Sequence, residues 1–249
     1  MSTPAIRPYL AERRAASTKG LPRTRAAELL RRVSSPRLRK AVKVNGTTLL
    51  WPLTKRRVRA MLDDGRPIRL NLGSGRTKLP GWVNVDLFGM NPDLPWNLRY
   101  GIPFPDESVD AAFLEHFLEH LPAGDALEML EECRRVLVPG GTIRVGVPDF
   151  GRYMESYAGD GEFIERLRPG RPTALLAVAE VALEHGHRSV WDRVTLERAL
   201  AEAGFTDVQI RRFGDSSLDP PPDTPMREAE SVYVEGTKPE RGRSPSERV

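Results

Sequence analysis

One stretch, residues 68–87 (IRLNLGSGRTKLPGWVNVDL), limits the fold more than any other part of the sequence. An apolar run turns through Gly73-Ser74-Gly75, and a second apolar run ends at Asp86. This order resembles the start of a nucleotide-binding α/β domain, but the dinucleotide fingerprint places its acidic residue about 20 residues after the glycines. Asp86 follows Gly75 at little more than half that spacing. The spacing leaves little room for the helix that binds a pyrophosphate, and it favours a smaller nucleoside ligand. The alternative is an ordinary strand–turn–strand with a solvated Asp86.

Strands and helices alternate along the rest of the chain. Apolar patterning predicts strands at residues 68–72, 83–86, 111–114, 143–147, 208–212 and 232–237. It predicts helices at residues 126–137, capped by Asp125 and ended by VPGG, and at residues 195–203, ended by Gly204. The alternation predicts an α/β, Rossmann-like, doubly wound and mostly parallel sheet with a late antiparallel hairpin. Ligands of such sheets bind beyond the carboxyl ends of the strands.

Residues 1–66 carry a strong positive charge. They hold 17 Lys and Arg against 4 Asp and Glu, whereas the other residues hold 21 against 30. We predict a partly disordered basic extension at 1–66, with short helices in RAAELLRRV and KRRVRAML and a hairpin or loop in VNGTTLLWPL. The main domain then spans 67–238, and 239–249 form a disordered tail. The arm is a solvated extension, a transit peptide, a segment docked on its own acidic domain, or a surface that binds nucleic acid or an anionic membrane.

Composition excludes several classes of protein. The single cysteine, Cys133, excludes a disulfide framework and a multi-cysteine zinc site, and it is expected in the core. No apolar run approaches the roughly 18 residues that span a bilayer, and the N-terminus lacks the apolar segment of a signal peptide. We therefore expect a cytoplasmic protein and assign no metal ligands.

The residue types at the predicted strand ends indicate their chemistry. The glycine turn permits close approach of a ligand, and Asp86 can accept two hydrogen bonds from ribose hydroxyls. His116, just after the strand predicted at 111–114, is the first candidate for a general base, and His187 is the second. Glu119 and His120 are expected to cap or buttress. Asp149 either lines an acceptor pocket or caps the following helix, and residues 151–190 form either a closing lid or a packed helical insertion.

Four segments, taken together, resemble the class I S-adenosylmethionine (SAM)-dependent methyltransferases. They are LNLGSGRTKLPGWVNVDL, GIPFPDESVDAAFLEHFLEHL, CRRVLVPGGTIRVGVPDF and LERALAEAGF. Within this family, the segments most resemble a branch whose first helix is shortened. Proteins of that branch are often associated with sugar or polysaccharide pathways. It covers about residues 68–238 and implies a seven-stranded sheet with an antiparallel last strand. It also implies SAM as the cofactor, held by Asn71, Gly73, Ser74, Gly75, Asp86, Leu87, Asn97 and Glu115, with Asp149 and Tyr153 binding substrate.

Three functions are compatible with the sequence. The first is methyl transfer from SAM to a hydroxyl or amine of a small molecule or glycan-type acceptor. The second is methylation of nucleic acid, such as RNA, guided by the basic arm. The third is a catalytically inactive module that binds SAM or a partner, which is favoured by Asn71 and Asn97, since many relatives carry acidic residues there. The sequence does not indicate an oligomeric state.

Overall fold

A computed structural model describes residues 6, 9, 51–87 and 92–240 of the chain. Within these residues seven strands form one sheet in the order β3-β2-β1-β4-β5-β7-β6. The strands are β1 (Arg69–Leu72), β2 (Val83–Asp86), β3 (Leu94–Pro95), β4 (Val109–Glu115), β5 (Leu137–Pro148), β6 (Thr206–Arg211) and β7 (Ser231–Thr237).

The sheet confirms the predicted fold class. β1 pairs in parallel with β2 and β4, whereas β7 is antiparallel to both of its neighbours, β5 and β6. The strand order reverses between β1 and β4, so a crevice opens at their carboxyl ends. Strand β3 was not predicted, because so short a strand is unable to show a periodic pattern.

Helices cover the sheet. They are α1 (Trp51–Asp63), α2 (Ala123–Val136), α3 (Phe150–Ala158), α4 (Glu162–Leu167), α5 (Ala174–Leu183) and α6 (Arg193–Glu202). Helix α6 confirms the predicted late helix, with Asp192 as its N-cap accepting from Thr195 N at 2.7 Å. The predicted cap Asp125 is wrong, since α2 starts after Pro122 and Asp125 lies in its first turn. There a carboxylate still interacts favourably with the helix dipole.

The predicted turn at VPGG is part of an irregular strand start. Helix α2 ends at Val136, and β5 begins directly at Leu137. Val109 pairs with Leu137, and the next pair joins Ala111 to Thr142, so extra β5 residues bulge out. Gly140 adopts a φ of +79° within this bulge, a conformation that glycine adopts at low cost.

Helix α1 packs against the main core. Val58 is buried in that core, with Met61 and Leu62 beside it. The ring of Trp51 lies 5.3 Å from that of Trp96. The helix predicted in KRRVRAML is therefore present and begins earlier, at residues predicted to be loop. The other features predicted before residue 51, and the tail after residue 240, lie outside the described residues.

Residues 151–190 form a packed helical unit. Helices α3, α4 and α5 enclose a second apolar cluster that includes Tyr153, Ile164, Val178 and Val181. This packing corresponds to the second alternative of the sequence analysis, a packed helical insertion. Among the described residues, no helix is both long and apolar enough to cross a membrane.

Candidate active site

A cavity of about 340 Å³ opens at the carboxyl ends of β1, β2 and β4. Its lining consists of Gly73, Asp86, Leu87, Trp96, Asn97, Leu98, Arg99, Phe117, His120, Leu121 and Arg188. Ligand pockets commonly have volumes of about 300–1,000 Å³, and open α/β sheets bind ligands at this edge. The structure thus brings Gly73, Asp86, Leu87 and Asn97 together as the sequence predicted.

The glycine turn is fixed to β2 by its backbone. The amides of Gly73 and Ser74 both donate to the carbonyl of Val85, at 2.9 and 3.2 Å. Gly73 has a φ of +71°, and a Cβ there would lie 2.2 Å from Cδ2 of Phe117. The turn therefore requires glycine for two reasons: its backbone conformation and the close approach of the Phe117 ring. Residues 73–82 contain turns and no helix.

Asp86 forms a hydrogen bond with the end of the glycine turn at Gly75. Its Oδ2 accepts from the amide of Gly75 at 2.9 Å, and its side chain lines the cavity. A carboxylate at the end of β2 can also accept bonds from ligand hydroxyls, because each oxygen accepts more than one hydrogen bond. Gly75 and Ser74 support the wall through their backbone.

The two asparagines have different positions. Asn97 lines the cavity, and its Oδ1 accepts from the amide of Arg99 at 3.2 Å. Asn71 is buried within the sheet, and its Nδ2 donates to Asn84 Oδ1 at 2.9 Å and to the carbonyl of Thr77 at 3.1 Å. Asn71 is therefore placed to support the glycine turn and lies outside the cavity lining, and the cofactor contact predicted for it stays a prediction.

Glu115, predicted to bind the cofactor, is directed away from the cavity. Its carboxylate accepts from Tyr233 Oη at 2.8 Å and from both the amide and the hydroxyl of Thr224. Burial raises the pKa of this carboxyl, although these hydrogen bonds oppose the shift. Alternate residues of a strand face opposite sides of a sheet, which explains why the Glu115 side chain is directed away from the cavity. Its hydrogen bonds connect β4 to β7 and to the loop that precedes β7.

His116 is the predicted base, but it does not line the cavity. Its φ is +51°, so the chain turns sharply at the end of β4. Its Nε2 lies 2.8 Å from Ser231 Oγ, and its side chain is 8% exposed. Burial, with the nearby positive charge of Arg227, lowers its pKa to about 2. His116 is therefore buried outside the cavity lining, and its role as a base stays a prediction.

The residues after His116 form the cavity wall that the sequence reading missed. Phe117, His120 and Leu121 all face the cavity from the short 3-10 helix Leu118–His120 and its flanks. Their spacing of three and four residues is a helical signal that could have identified this face. Arg188 comes from the insertion, for which the sequence offered a lid as one alternative, but the sequence analysis did not single out Arg188 itself.

A second group of side chains lies behind that wall. The Nδ1 of His187 is 2.6 Å from the carbonyl of Val181, and its Nε2 is 3.9 Å from Glu119 Oε1. Glu119 is 1% exposed, and neither of its oxygens has a hydrogen-bond partner among the described residues. Burial raises the pKa of Glu119 to about 8 and lowers that of His187. Glu119 was predicted to cap or buttress, and within the described part of the chain its carboxylate does not satisfy any donor.

The two predicted substrate-binding residues have structural positions. Asp149 is the N-cap of α3 and accepts from the amide of Arg152 at 3.3 Å. This is the capping alternative of the sequence reading. Tyr153 is fully buried in the second apolar cluster, with its hydroxyl 3.3 Å from Glu230 Oε2. Neither lines the 340 Å³ cavity, and the substrate contact predicted for both stays a prediction.

One segment of the chain matches a known protein family, and the chain is similar to solved structures at low sequence identity. Residues 98–145 match the family model described as a methyltransferase domain. A SAM-dependent methyltransferase from Archaeoglobus fulgidus is similar at 16% identity and a TM-score of 0.44, covering 82% of this chain and 100% of that one. The 1,6-didemethyltoxoflavin-N1-methyltransferase of Burkholderia thailandensis is similar at 16% identity and a TM-score of 0.45, covering 83% and 92%. The comparison with curated proteins gave no match.

The matched segment forms part of the site. It includes β4, the 3-10 helix that carries His120, and α2. The matched segment and the seven-stranded sheet with its antiparallel β7 are consistent with the methyltransferase resemblance of the sequence.

Proposed function

We propose that this protein transfers a methyl group from SAM, bound in the cavity at the carboxyl ends of β1, β2 and β4, to a hydroxyl or amine of a small molecule or glycan-type acceptor. The observation that carries the proposal is the meeting of Gly73 and Asp86 in one cavity at the switch point of the sheet. The methyl group on the sulfonium of SAM is already activated. The protein therefore has to bind and align the reactants and provide a route for the acceptor proton.

The cavity residues fit a nucleoside ligand. Asp86 offers a carboxylate for ribose hydroxyls, and Leu87 and Trp96 offer apolar surface for a base. The Oδ1 of Asn97 already accepts from Arg99, so we expect its amide nitrogen to be offered to a ring nitrogen of the base. The turn at Gly73 leaves the backbone accessible to the rest of the cofactor.

The acceptor is expected on the side of the cavity where His120 and Arg188 lie. Both side chains line the cavity, and Arg188 precedes the buried Trp191 at the end of the insertion. We infer that the insertion closes the acceptor side and that the acceptor proton leaves near His120. A sugar or polysaccharide acceptor is supported only by the resemblance of the sequence to that branch.

Calorimetric titration of the purified full chain with SAM and with S-adenosylhomocysteine (SAH) tests the proposal. Binding of both establishes the cofactor. No binding by a folded sample contradicts the enzyme and favours a partner-binding module. RNA retention that depends on salt, and that is lost on removal of residues 1–66, favours a nucleic-acid acceptor instead.

Asp86→Ala is expected to weaken SAM and SAH binding by about 100-fold or more. It removes the acceptor for two ribose hydrogen bonds of about 1.5 kcal/mol each, and about 1.4 kcal/mol corresponds to a factor of ten. It also frees the Gly75 amide that Asp86 accepts from. Asp106→Ala, at an exposed carboxylate paired with Arg135, is the matched control and should bind normally. Unchanged affinity of Asp86→Ala would place the ribose elsewhere.

A further inference from the structure

The cluster behind the cavity wall contains an unpaired buried carboxylate. Glu119 is 1% exposed, and within the described part of the chain both of its oxygens lack a hydrogen-bond donor. Burying an ionised carboxylate without a partner is costly, and such groups in proteins are normally paired or bound to a cation. A buried carboxyl group whose two oxygens lack a hydrogen-bond donor within the described residues is therefore the feature that needs an explanation.

Two imidazoles face this carboxylate. One ligand atom each from Glu119, His120 and His187 lies within 4.8 Å of the other two. The Nε2 of His187 is 3.9 Å from Glu119 Oε1, and the rings of His120 and His187 are 5.0 Å apart and nearly perpendicular. Two imidazoles and one carboxylate are a common ligand set for zinc and for other divalent transition metals.

The tautomer of His187 suits metal binding. Its Nδ1 is 2.6 Å from the carbonyl of Val181, an acceptor only, so Nδ1 carries the proton. The lone pair is then on Nε2, which is directed at Glu119. A backbone carbonyl that fixes the second nitrogen in this way is the usual outer partner of a metal-binding histidine.

The backbone holds the ligands in place. The amides of Arg188 and Ser189 both donate to the carbonyl of Glu119, at 2.8 and 3.2 Å, and so join the insertion to the 3-10 helix. A small cavity of about 10 Å³ is lined by Glu119 and His187, which is about the space that one water needs. His120 faces the larger cavity on the other side.

The nearby arginines form ion pairs with another carboxylate, Glu230. The guanidinium of Arg168 lies 2.9 Å from Glu230, and that of Arg227 lies 3.4 Å from the same carboxylate. His116 Nδ1 lies 3.5 Å from Glu119 Oε1 without forming a hydrogen bond to it. The carboxylate is thus surrounded by groups that are either engaged with other partners or able to act as ligands.

We propose that Glu119, His120 and His187 bind one divalent transition metal ion, with zinc as the preferred ion, between the larger cavity and the insertion. Water or an acceptor oxygen entering from the larger cavity would complete the coordination, because three protein ligands leave one position open. If the proposed methyl transfer is correct, the metal would hold the acceptor oxygen and lower the pKa of its hydroxyl, and the released proton would pass to water in the larger cavity beside His120.

Metal binding can be measured without SAM. The full chain, freed of any histidine tag and dialysed against a chelator, is titrated with Zn²⁺ by calorimetry and with Co²⁺ by visible absorption. We expect one equivalent of each ion, with cobalt d–d bands typical of mixed nitrogen and oxygen ligands. The buried Cys133 should not contribute sulfur-ligand bands. Because the titration contains no cofactor, failure of the proposed methyl transfer leaves its outcome unchanged.

Matched variants distinguish specific metal binding at Glu119, His120 and His187 from nonspecific binding to exposed histidines. Glu119→Gln and His187→Ala should each weaken binding by at least about 100-fold, since loss of even an outer-shell partner costs about 10–100-fold. His185→Ala is the control, because His185 is exposed and outside the set. Circular dichroism checks folding, and His120→Asn, on the cavity wall, replaces any variant that does not fold. No stoichiometric binding by the wild type, or an equal loss in His185→Ala, would overturn the proposal and leave Glu119 a buried protonated acid.

Discussion

Gly73→Ala is expected to reduce SAM and SAH affinity by at least about 100-fold, which corresponds to about 2.7 kcal/mol. Alanine at a φ of +71° costs about 1–2 kcal/mol in backbone strain. The larger effect is steric, because the new Cβ would lie 2.2 Å from Cδ2 and 2.7 Å from Cβ of Phe117. Phe117 lines the cavity proposed for the cofactor, so its displacement changes the shape of that cavity.

Two controls separate strain from steric overlap. Gly75 also has a positive φ, +53°, but a Cβ there meets only the carbonyl oxygen of Gly73, at 3.9 Å. Gly75→Ala therefore tests strain alone and should cost about tenfold or less. In a Phe117→Ala background, Gly73→Ala should lose much of its effect. An equal loss of affinity with and without the Phe117 ring, measured by calorimetry with SAH, would show that the overlap is not the cause.

The sequence was sufficient to predict the part of the site that depends on local pattern. β1, the glycine turn and β2 follow one another directly along the chain, and their apolar alternation and glycines are local signals. Asp86 could therefore be placed at a strand end. The end of β4 could not be placed in the same way, because the left-handed backbone of His116 reorients the residues that follow it. Hence Phe117 and His120, and not His116, face the cavity.

Contacts between distant segments have no local signature. Arg188 reaches the cavity because the insertion packs around its own apolar cluster and then donates two backbone bonds to Glu119. Glu115 is satisfied by Thr224 and Tyr233, which are far away in sequence. Both positions depend on tertiary packing. The family resemblance therefore assigned Glu115 to the cofactor, and residue type and spacing gave no role to Arg188.

The partners of Arg144 were also not predictable from the sequence. An arginine in the middle of an apolar strand gives no indication of which distant residues it contacts. Its side chain is fully buried on β5. It donates to Asp223 through two nitrogens at 2.6 and 2.5 Å and to Glu235 at 2.8 Å, and its guanidinium lies 4.7 Å from the ring centre of Tyr233. It also donates to two backbone carbonyls of the segment that joins β6 to β7.

Arg144→Met is expected to lower the free energy of unfolding by about 3–5 kcal/mol, because removing one partner leaves buried carboxylates without compensation. The side chains of Asp223 and Glu235 are only 1% and 5% exposed. Chemical denaturation followed by circular dichroism measures the change. Arg193→Met is the control: its pair with Glu155 is exposed on both sides at 3.9 Å, so the loss should stay below about 1 kcal/mol.

The pH dependence of the Arg144→Met variant identifies the mechanism. In the wild type, burial raises the pKa of Glu235, but hydrogen bonds from Ser216 and Ser217 and the charge of Arg144 hold it below its usual value. Without Arg144, burial dominates and the folded-state pKa rises above the unfolded one. A group with a raised folded pKa destabilises the fold as the pH rises, so the deficit should shrink as the pH falls from neutral. Neutralising both carboxylates with Asp223→Asn and Glu235→Gln should recover part of the loss. A deficit that is independent of pH and unchanged by those substitutions would mean that lost packing, not unpaired charge, causes it.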